Sequence, residues 1–208
     1  MSVTARRRHR RQPEAVGGAE GNEQLTALTG TVLLIGFAVE GLTLPALHRL
    51  LTLHFFLGML LIGPVLLKIC STCYRFVRYY SGAAPYVRKG PPAPLLRLLG
   101  PFVIITSLAV LGTGVALAWA GPQQQGPWLL LHKVTFVLWF GVMTIHVLAY
   151  AWRLPRILLG SPGGGARMAA PGGRFRWLVV GTSLATGLLV ALLTIHLATP
   201  WVARMTGH

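Results

Sequence analysis

Five apolar segments, each long enough to cross a lipid bilayer, occupy most of this 208-residue chain. A membrane-spanning helix needs about 20 apolar residues, because each residue rises by about 1.5 Å and the hydrocarbon core is about 30 Å thick. The segments are residues 25–44, 47–74, 95–120, 130–154 and 177–199. Since lipid offers no hydrogen bonds to the backbone, this pattern predicts an all-α integral membrane bundle of about five transmembrane helices.

Polar sequence flanks the predicted bundle, which extends over residues 25–200. Residues 1–24 contain a run of arginines and are predicted to form a disordered, basic cytoplasmic tail. They lack the short apolar core and the cleavage site of a secretory signal, so we expect this tail to be retained. Residues 201–208 are predicted to form a short outer tail.

The basic residues predict the orientation of the bundle. Fifteen of them lie in the amino-terminal tail and in the connections after the second and fourth segments. Only Arg49, Lys133 and Arg204 lie on the opposite side. Cytoplasmic loops carry the excess of Lys and Arg, so the amino terminus is expected inside and the carboxyl terminus outside. The net charge of +15 therefore indicates membrane topology and not a surface for nucleic acid.

Carboxylates are confined to the first 40 residues, where the last of four is Glu40. Their absence beyond that point argues against paired-carboxylate hydrolysis, a Ser-His-Asp triad and carboxylate-bound Mg²⁺ or Ca²⁺. Glu40 lies about one turn from the outer end of the first segment. It is expected either to pair with Arg49 or to take part in proton or quinone chemistry.

The fourth segment carries two histidines, His132 and His146, fourteen positions apart. Fourteen positions are close to four whole turns, so both rings leave the same face, about 21 Å apart along the axis. Ionisable residues inside membrane helices are costly and usually functional. Two in register, at opposite depths, suggest redox cofactors on both sides of the bilayer. The alternative is a pair of hydrogen-bonded histidines that pack a polar bundle interior.

The second segment carries His54 at the predicted depth of His132, so a haem iron could bind between these two imidazoles. Gly58, one turn below His54, would leave space for a porphyrin edge, although a glycine also favours close helix packing. Lys68 follows His54 by fourteen residues and matches the depth of His146. It is expected either to ligate or neutralise a group at an inner site, such as a haem propionate, or to snorkel to the inner headgroups.

The remaining histidines and the cysteines have simpler interpretations. His48 and His196 are expected at the outer interface, or as substitute ligands of the outer site. A less favoured alternative is a zinc site built from His48, His54, His132 and His196. Cys70 and Cys73 form the sequence CSTC, which lacks the following histidine of a c-type haem attachment site. We predict buried free thiols, because the inner side is reducing.

Two stretches resemble the membrane cytochrome b superfamily: LHFFLGMLLIGPVLLK (Leu53–Lys68) and LHKVTFVLWFGVMTIHVLAYAWRLP (Leu131–Pro155). This superfamily includes the cytochrome b561-like subunits of formate dehydrogenase and nickel-iron hydrogenase. The stretches look closest to the cytochrome-b-like anchors of bacterial molybdopterin oxidoreductases. The resemblance implies haem b and transmembrane electron transfer, with His54, His132 and His146 as candidate iron ligands. Relatives with two haems usually have a histidine on their first helix, which this chain lacks, so one haem is expected and two is the alternative.

The sequence therefore predicts a membrane b-type cytochrome that passes electrons between a quinone or membrane partner and a redox protein. His54 and His132 are predicted to hold an outer haem, while His146, with Lys68, would serve an inner one. Such a chain is expected to be an electron-transfer subunit in the bacterial plasma membrane and not a stand-alone enzyme. The alternative is a haem-free anchor or assembly subunit of a redox complex. A transporter is disfavoured, because no paired Gly/Pro interruptions occur in symmetric halves.

Overall fold

A computed structural model describes residues 18–90, 94–151 and 172–206 of the chain. These residues are almost entirely helical, with no strand among them, which confirms the predicted all-α fold class for this part of the protein. The helices are α1 (Ala19–Thr43), α2 (Leu47–Tyr80), α3 (Ala84–Arg88), α4 (Pro94–Ala120), α5 (Gln125–Ala151), α6 (Gly173–Thr194) and α7 (Thr199–Thr206). Short 3-10 turns join α1 to α2, α4 to α5 and α6 to α7.

Four described stretches are long and apolar enough to cross a membrane: Ala19–Tyr80, Arg97–Ala120, Pro122–Tyr150 and Gly173–Met205. The first of these contains both α1 and α2, which the 3-10 turn at Leu44–Ala46 connects. The sequence predicts two segments here, residues 25–44 and 47–74, which are separated by Pro45 and Ala46. The protein is thus a membrane protein by the length and composition of its helices, while the number of crossings and their orientation stay predictions.

The start of α1 differs from the sequence prediction, because residues 19–24 are helical instead of disordered. Two contacts stabilise these first turns. The buried side chain of Asn22 donates a hydrogen bond from Nδ2 to the Ser71 carbonyl oxygen at 3.1 Å. Glu23 forms an ion pair with Lys89, which follows α3. These partners are distant in sequence, so the local composition of the tail did not reveal them.

Pro200 does not end the fifth predicted segment, residues 177–199, but lies in the first turn of a further helix. The helix α6 ends at Thr194, a 3-10 turn covers Ile195–Ala198, and α7 then begins at Thr199. Proline is tolerated in the first turn of a helix, where its missing N–H has no intrahelical acceptor. Of the two predicted tails, residues 1–17 and 207–208 lie outside the described part of the chain.

The central helix is α2, which packs along α1 and along α6. Its backbone bends at Leu50, where φ is −107° and ψ is 16°. The crossing with α6 is very close: a Cβ at Gly63 would overlap the Ser183 backbone oxygen, and a Cβ at Gly187 would overlap that of Leu60. Glycine at both positions lets the two backbones touch, as is common between membrane helices. We call α1, α2 and α6 the three-helix layer.

The helices α4 and α5 pack against each other as an antiparallel pair, which we call the two-helix hairpin. This hairpin meets the three-helix layer over a small area. The helix α4 contacts α2, and Trp139 of α5 lies edge-on to Phe37 of α1 with ring centroids 4.8 Å apart. Over their described lengths, α2 and α5 make no extended contact with each other.

Two polar contacts show which helix ends lie together. The pairing of Lys89 with Glu23 places the start of α1 beside the connection between α2 and α4. At the opposite end, Arg204 of α7 donates a hydrogen bond to the carbonyl oxygen of Pro122, in the turn between α4 and α5. We call these the inner end and the outer end of the bundle, after the predicted orientation.

Apolar side chains cover the outside of the bundle instead of filling one large core. Leu42 and Trp119, for example, are 74% and 71% exposed. The buried apolar clusters between helices are small and consist of Leu33, Leu61 and Val65, and of Met59, Ala118 and Ala191. So much exposed apolar surface is typical of a protein whose helices contact lipid.

Candidate functional site

His54 of α2 faces the end of α1, where two oxygen atoms contact its ring. Its Nδ1 lies 3.0 Å from Oε1 of Glu40 and 2.9 Å from Oγ1 of Thr43. Thr43 is only 2% exposed, and its hydroxyl donates to the Glu40 carbonyl oxygen at 2.6 Å. Because the hydroxyl proton is engaged there, Oγ1 faces the imidazole as a hydrogen-bond acceptor.

These two acceptors determine which nitrogen of His54 carries the ring proton. A carboxylate can only accept, and the Thr43 oxygen accepts as well, so we assign the proton to Nδ1. The lone pair is then on Nε2, the nitrogen through which a neutral imidazole would bind a metal. Metal-ligating histidines commonly donate their other N–H to a carboxylate. His54 therefore has the environment of a metal-ligating histidine whose Nδ1–H is hydrogen-bonded to a carboxylate.

Glu40 pairs with His54 and not with Arg49, the partner that the simpler sequence interpretation suggested. The Glu40 side chain is 16% exposed. Its second oxygen, Oε2, is buried and accepts no hydrogen bond from the described residues. A Cβ at Gly58 would lie 3.6 Å from Glu40 Oε1, an ordinary contact, so Gly58 lies directly beside this carboxylate. The outer end of α1 thus supplies a carboxylate to the histidine of α2.

His132 of α5 faces α4, where a threonine and a glycine contact its ring. Its Nδ1 lies 3.2 Å from Oγ1 of Thr113, whose hydroxyl donates to the Ala109 carbonyl oxygen at 2.7 Å. The hydroxyl oxygen is thus an acceptor toward the ring, and Nε2 of His132 is again the nitrogen without a proton. A Cβ at Gly114 would lie only 3.1 Å from Cε1 of this ring. The glycine therefore leaves the space that the imidazole occupies.

His54 of α2 and His132 of α5 are close enough to interact electrostatically. They belong to α2 and α5, which make no extended contact with each other over their described lengths. Each ring has its Nδ1 against its own neighbouring helix, α1 for His54 and α4 for His132. The two nitrogen atoms left for a ligand are therefore both Nε2.

The inner end brings together the other two candidate residues. Lys68 of α2 and His146 of α5 lie within electrostatic range of each other. The ring of His146 contacts Tyr150, with centroids 4.9 Å apart, and its buried Nδ1 has no hydrogen-bond partner among the described residues. Both residues therefore remain candidates for an inner site.

The side chain of Lys68 turns toward α1. Its Nζ donates a hydrogen bond to the Thr26 carbonyl oxygen at 2.5 Å. A Cβ at Gly30 would lie 2.8 Å from the same Nζ, so this glycine makes room for the ammonium. Nearby, the hydroxyl of Thr26 donates to Oγ of Ser71 at 3.2 Å. Lys68 thus belongs to a polar cluster between α1 and α2, which differs from the snorkelling interpretation.

The remaining candidates are scattered over the surface. His48 is exposed, and His196 is exposed beside an open groove of about 470 Å³. Cys70 and Cys73 are free thiols, but they are exposed and not buried as predicted. No group of three or more His, Cys, Asp or Glu side chains that could hold a metal ion occurs in the described part of the chain. The zinc site that combines four outer histidines is therefore not formed by these residues.

Thr43, Thr113 and Gly114 were not singled out by the sequence analysis. Thr113 and His132 each lie seven residues, or about two turns, from the near ends of α4 and α5 at the hairpin turn. Matching depths across this hairpin would have identified Thr113 and Gly114. No comparable signal exists for Thr43, because its contact with His54 depends on how the 3-10 turn after α1 directs α2.

Comparisons of this chain with models of known families, with curated proteins and with solved structures gave no match.

Proposed function

We propose that this protein is a membrane b-type cytochrome in which His54 and His132 hold one haem toward the outer end of the bundle. The observation that carries the proposal is a pair of imidazoles on two different helices, each with Nδ1 hydrogen-bonded behind it and Nε2 left as the donor. Two axial imidazoles leave the iron no open position for a substrate, which suits electron transfer.

The surroundings of the two rings also fit a haem. Gly114 permits the position of the His132 ring, and a Cβ at Gly58 would only touch Glu40 without overlap. The helices α2 and α5 make no extended contact over their described lengths, so a haem held by both histidines would lie between two helices that do not pack on each other. Phe37 and Trp139 close the bundle on the inner side of this region, where Trp139 is buried and donates to Ser107.

When bound, the haem supplies the one-electron chemistry of its iron. The chain supplies the ligands and their orientation. His54 would be held by Glu40 and Thr43, and His132 by Thr113, so that both rings keep one tautomer and one direction. The apolar side chains of Phe37 and Trp139 keep water from the interior below the site.

The proposed reaction is transfer of electrons between a quinone or membrane partner and a redox protein in the bacterial plasma membrane. The inner end carries aromatic and basic side chains suited to a membrane interface. The Arg97 guanidinium lies 5.2 Å from the Tyr80 ring centroid, and that of Arg78 lies 5.9 Å from the Tyr86 ring centroid. Such pairs favour an interface with anionic lipid, and they suit a position beside a soluble partner.

We assign one haem, because the support for an inner one is weaker. His146 is the inner imidazole of the described residues, and the Lys68 ammonium is hydrogen-bonded to Thr26. A second haem would need another ligand and a different direction for Lys68. The haem-free alternative, an anchor or assembly subunit, is an outcome that the following experiment distinguishes.

The test is the haem content of the protein purified from membranes. We expect about one haem per chain and a Soret band that shifts on reduction with dithionite. His54→Ala and His132→Ala should each lose the haem, while His196→Ala, which changes an exposed histidine at the same end, should keep it. A purified wild-type protein without haem, or one whose haem survives both ligand substitutions, would contradict the proposal.

A further inference from the structure

The two imidazoles assigned to the haem have chemically different partners. Nδ1 of His54 contacts the carboxylate of Glu40 at 3.0 Å, whereas Nδ1 of His132 contacts the neutral hydroxyl of Thr113 at 3.2 Å. Glu40 is also the last carboxylate in the sequence. The negative charge beside the proposed iron site is therefore on one side only.

The surroundings of Glu40 differ from those expected if its contact with His54 only stabilised the fold. In the described part of the chain its carboxylate pairs with His54, and its buried Oε2 receives no hydrogen bond. A buried carboxylate is costly unless it is paired and its lone pairs are satisfied. Ionisable residues inside membrane helices are otherwise rare and usually functional. An apolar residue at this position would pack equally well.

The contact has a definite consequence for a histidine that ligates iron. A carboxylate that accepts the Nδ1 proton fixes the ring and makes Nε2 a more basic ligand. A negative charge close to the iron also stabilises the more positive ferric state, since charges interact strongly in a low dielectric. Thr43 adds a second, uncharged acceptor at 2.9 Å, which holds the ring in place without adding charge.

We propose that Glu40 is a positioning residue for His54, which strengthens the bond of this ligand to the haem iron and lowers the reduction potential of the haem. The inference rests on the haem proposed above. It assigns different roles to the two ligands: His54, with its carboxylate, dominates the potential, and His132, with its hydroxyl, contributes little to it.

The test is a redox titration of the haem-loaded protein and of Glu40→Gln, which keeps the shape of the side chain and removes its charge. We expect a more positive midpoint potential, an altered ferric EPR spectrum and a haem affinity lower by roughly 10- to 100-fold, as for other partners of metal-ligating histidines. Glu23→Gln is the matched control, because it removes the same charge from an exposed pair at the inner end of the same helix. The midpoint potential of the haem in Glu23→Gln should equal that in the wild type.

An unchanged potential in Glu40→Gln, with haem bound, would overturn the inference and leave the proposed cytochrome intact. Absence of haem from the wild type would instead contradict the proposed function itself. If Glu40→Gln does not retain haem, the same redox titration is carried out on Glu40→Asp, which keeps the charge on a shorter side chain. The longer distance to Nδ1 should raise the potential, and an unchanged value there would equally overturn the inference.

Discussion

The three-helix layer and the two-helix hairpin are held together by different interactions. In the layer, Gly63 and Gly187 bring the backbones of α2 and α6 into contact. In the hairpin, side chains connect α4 to α5: Oγ1 of Thr113 lies 2.9 Å from Oγ1 of Thr135, and the Trp139 indole donates to Ser107 at 3.1 Å. Backbone contact of this kind tolerates no added volume, whereas hydrogen-bonded side chains can adjust.

Each region also supplies one of the two outer imidazoles and orients it internally. The layer holds His54 through Glu40 and Thr43, and the hairpin holds His132 through Thr113. The direct contact between the two regions is small. Each imidazole is therefore oriented within its own region, and the proposed haem would connect the two regions.

The largest effect is expected where backbones touch. Gly187→Ala would place a Cβ on the Leu60 backbone oxygen, so α2 and α6 must separate. Overpacking typically costs about 1–3 kcal/mol, and an obstacle of backbone atoms should bring the cost to the upper end or beyond. Gly181→Ala on the same helix is the control, since a Cβ there meets no atom within 4 Å. Thermal unfolding in detergent measures the difference, and equal stabilities would refute the close crossing.

A smaller effect is expected in the hairpin, at the glycine beside His132. A Cβ in Gly114→Ala would lie 3.1 Å from the ring, so the imidazole must move by a few tenths of an ångström. We expect haem affinity to fall by about tenfold, while the helices remain folded, because ligand sites depend on precise orientation. Gly112→Ala, whose Cβ meets no atom within 4 Å, should bind haem normally. Haem titration monitored at the Soret band distinguishes the two, and equal affinities would count against this placement of His132.

Loss of a hydrogen bond in the hairpin should have a smaller effect than the added Cβ beside His132. Thr113→Val removes the hydroxyl that contacts His132 and Thr135, at a cost of about 1 kcal/mol. The reduction potential should change little, because no charge is lost. Thr106→Val is the control, since the Thr106 hydroxyl bonds only to carbonyls of its own helix among the described residues. Thermal unfolding and redox titration of both variants measure these effects, and a large shift of potential in Thr113→Val would contradict the different roles assigned to the two ligands.

The smallest effect concerns α3, which lies in the connection between the two regions. Burial, and then the neighbouring Tyr74, raise the pKa of Tyr86 above its usual value of about 10. The folded state therefore favours the protonated phenol. Its contribution to stability is complete below the usual pKa and is lost as the pH rises through the higher, folded value. Tyr86→Phe should flatten this alkaline decline in unfolding temperature, and an identical decline in both proteins would contradict the burial of the phenol.

The sequence was most informative where a single segment carries the signal. Long apolar runs predicted the membrane helices, whereas the shared iron site expected from the equal depth of His54 and His132 stays a prediction. Contacts between different segments were harder to predict from the sequence. The helical residues 19–24 depend on Ser71 and Lys89, which are far away in sequence. Composition alone therefore predicted disorder there.

The partners of the two histidines show the same limit. The contact of Glu40 with His54 depends on the 3-10 turn that follows α1 and on the direction in which α2 leaves it. A sequence pattern contains no measure of that direction, so Arg49 seemed an equally good partner. Lys68 is similar: its length allows it to reach either the headgroups or α1, and the space beside Gly30 is what favours α1.

The central claim, that the layer and the hairpin each give one imidazole to the same iron, is tested most directly by the EPR spectrum of the ferric protein. We predict the low-spin signal of a bis-imidazole haem, its loss in both His54→Gly and His132→Gly, and its return in each variant when haem and free imidazole are added together. A high-spin signal in the wild type, or a low-spin signal that survives either substitution without added imidazole, would contradict the claim.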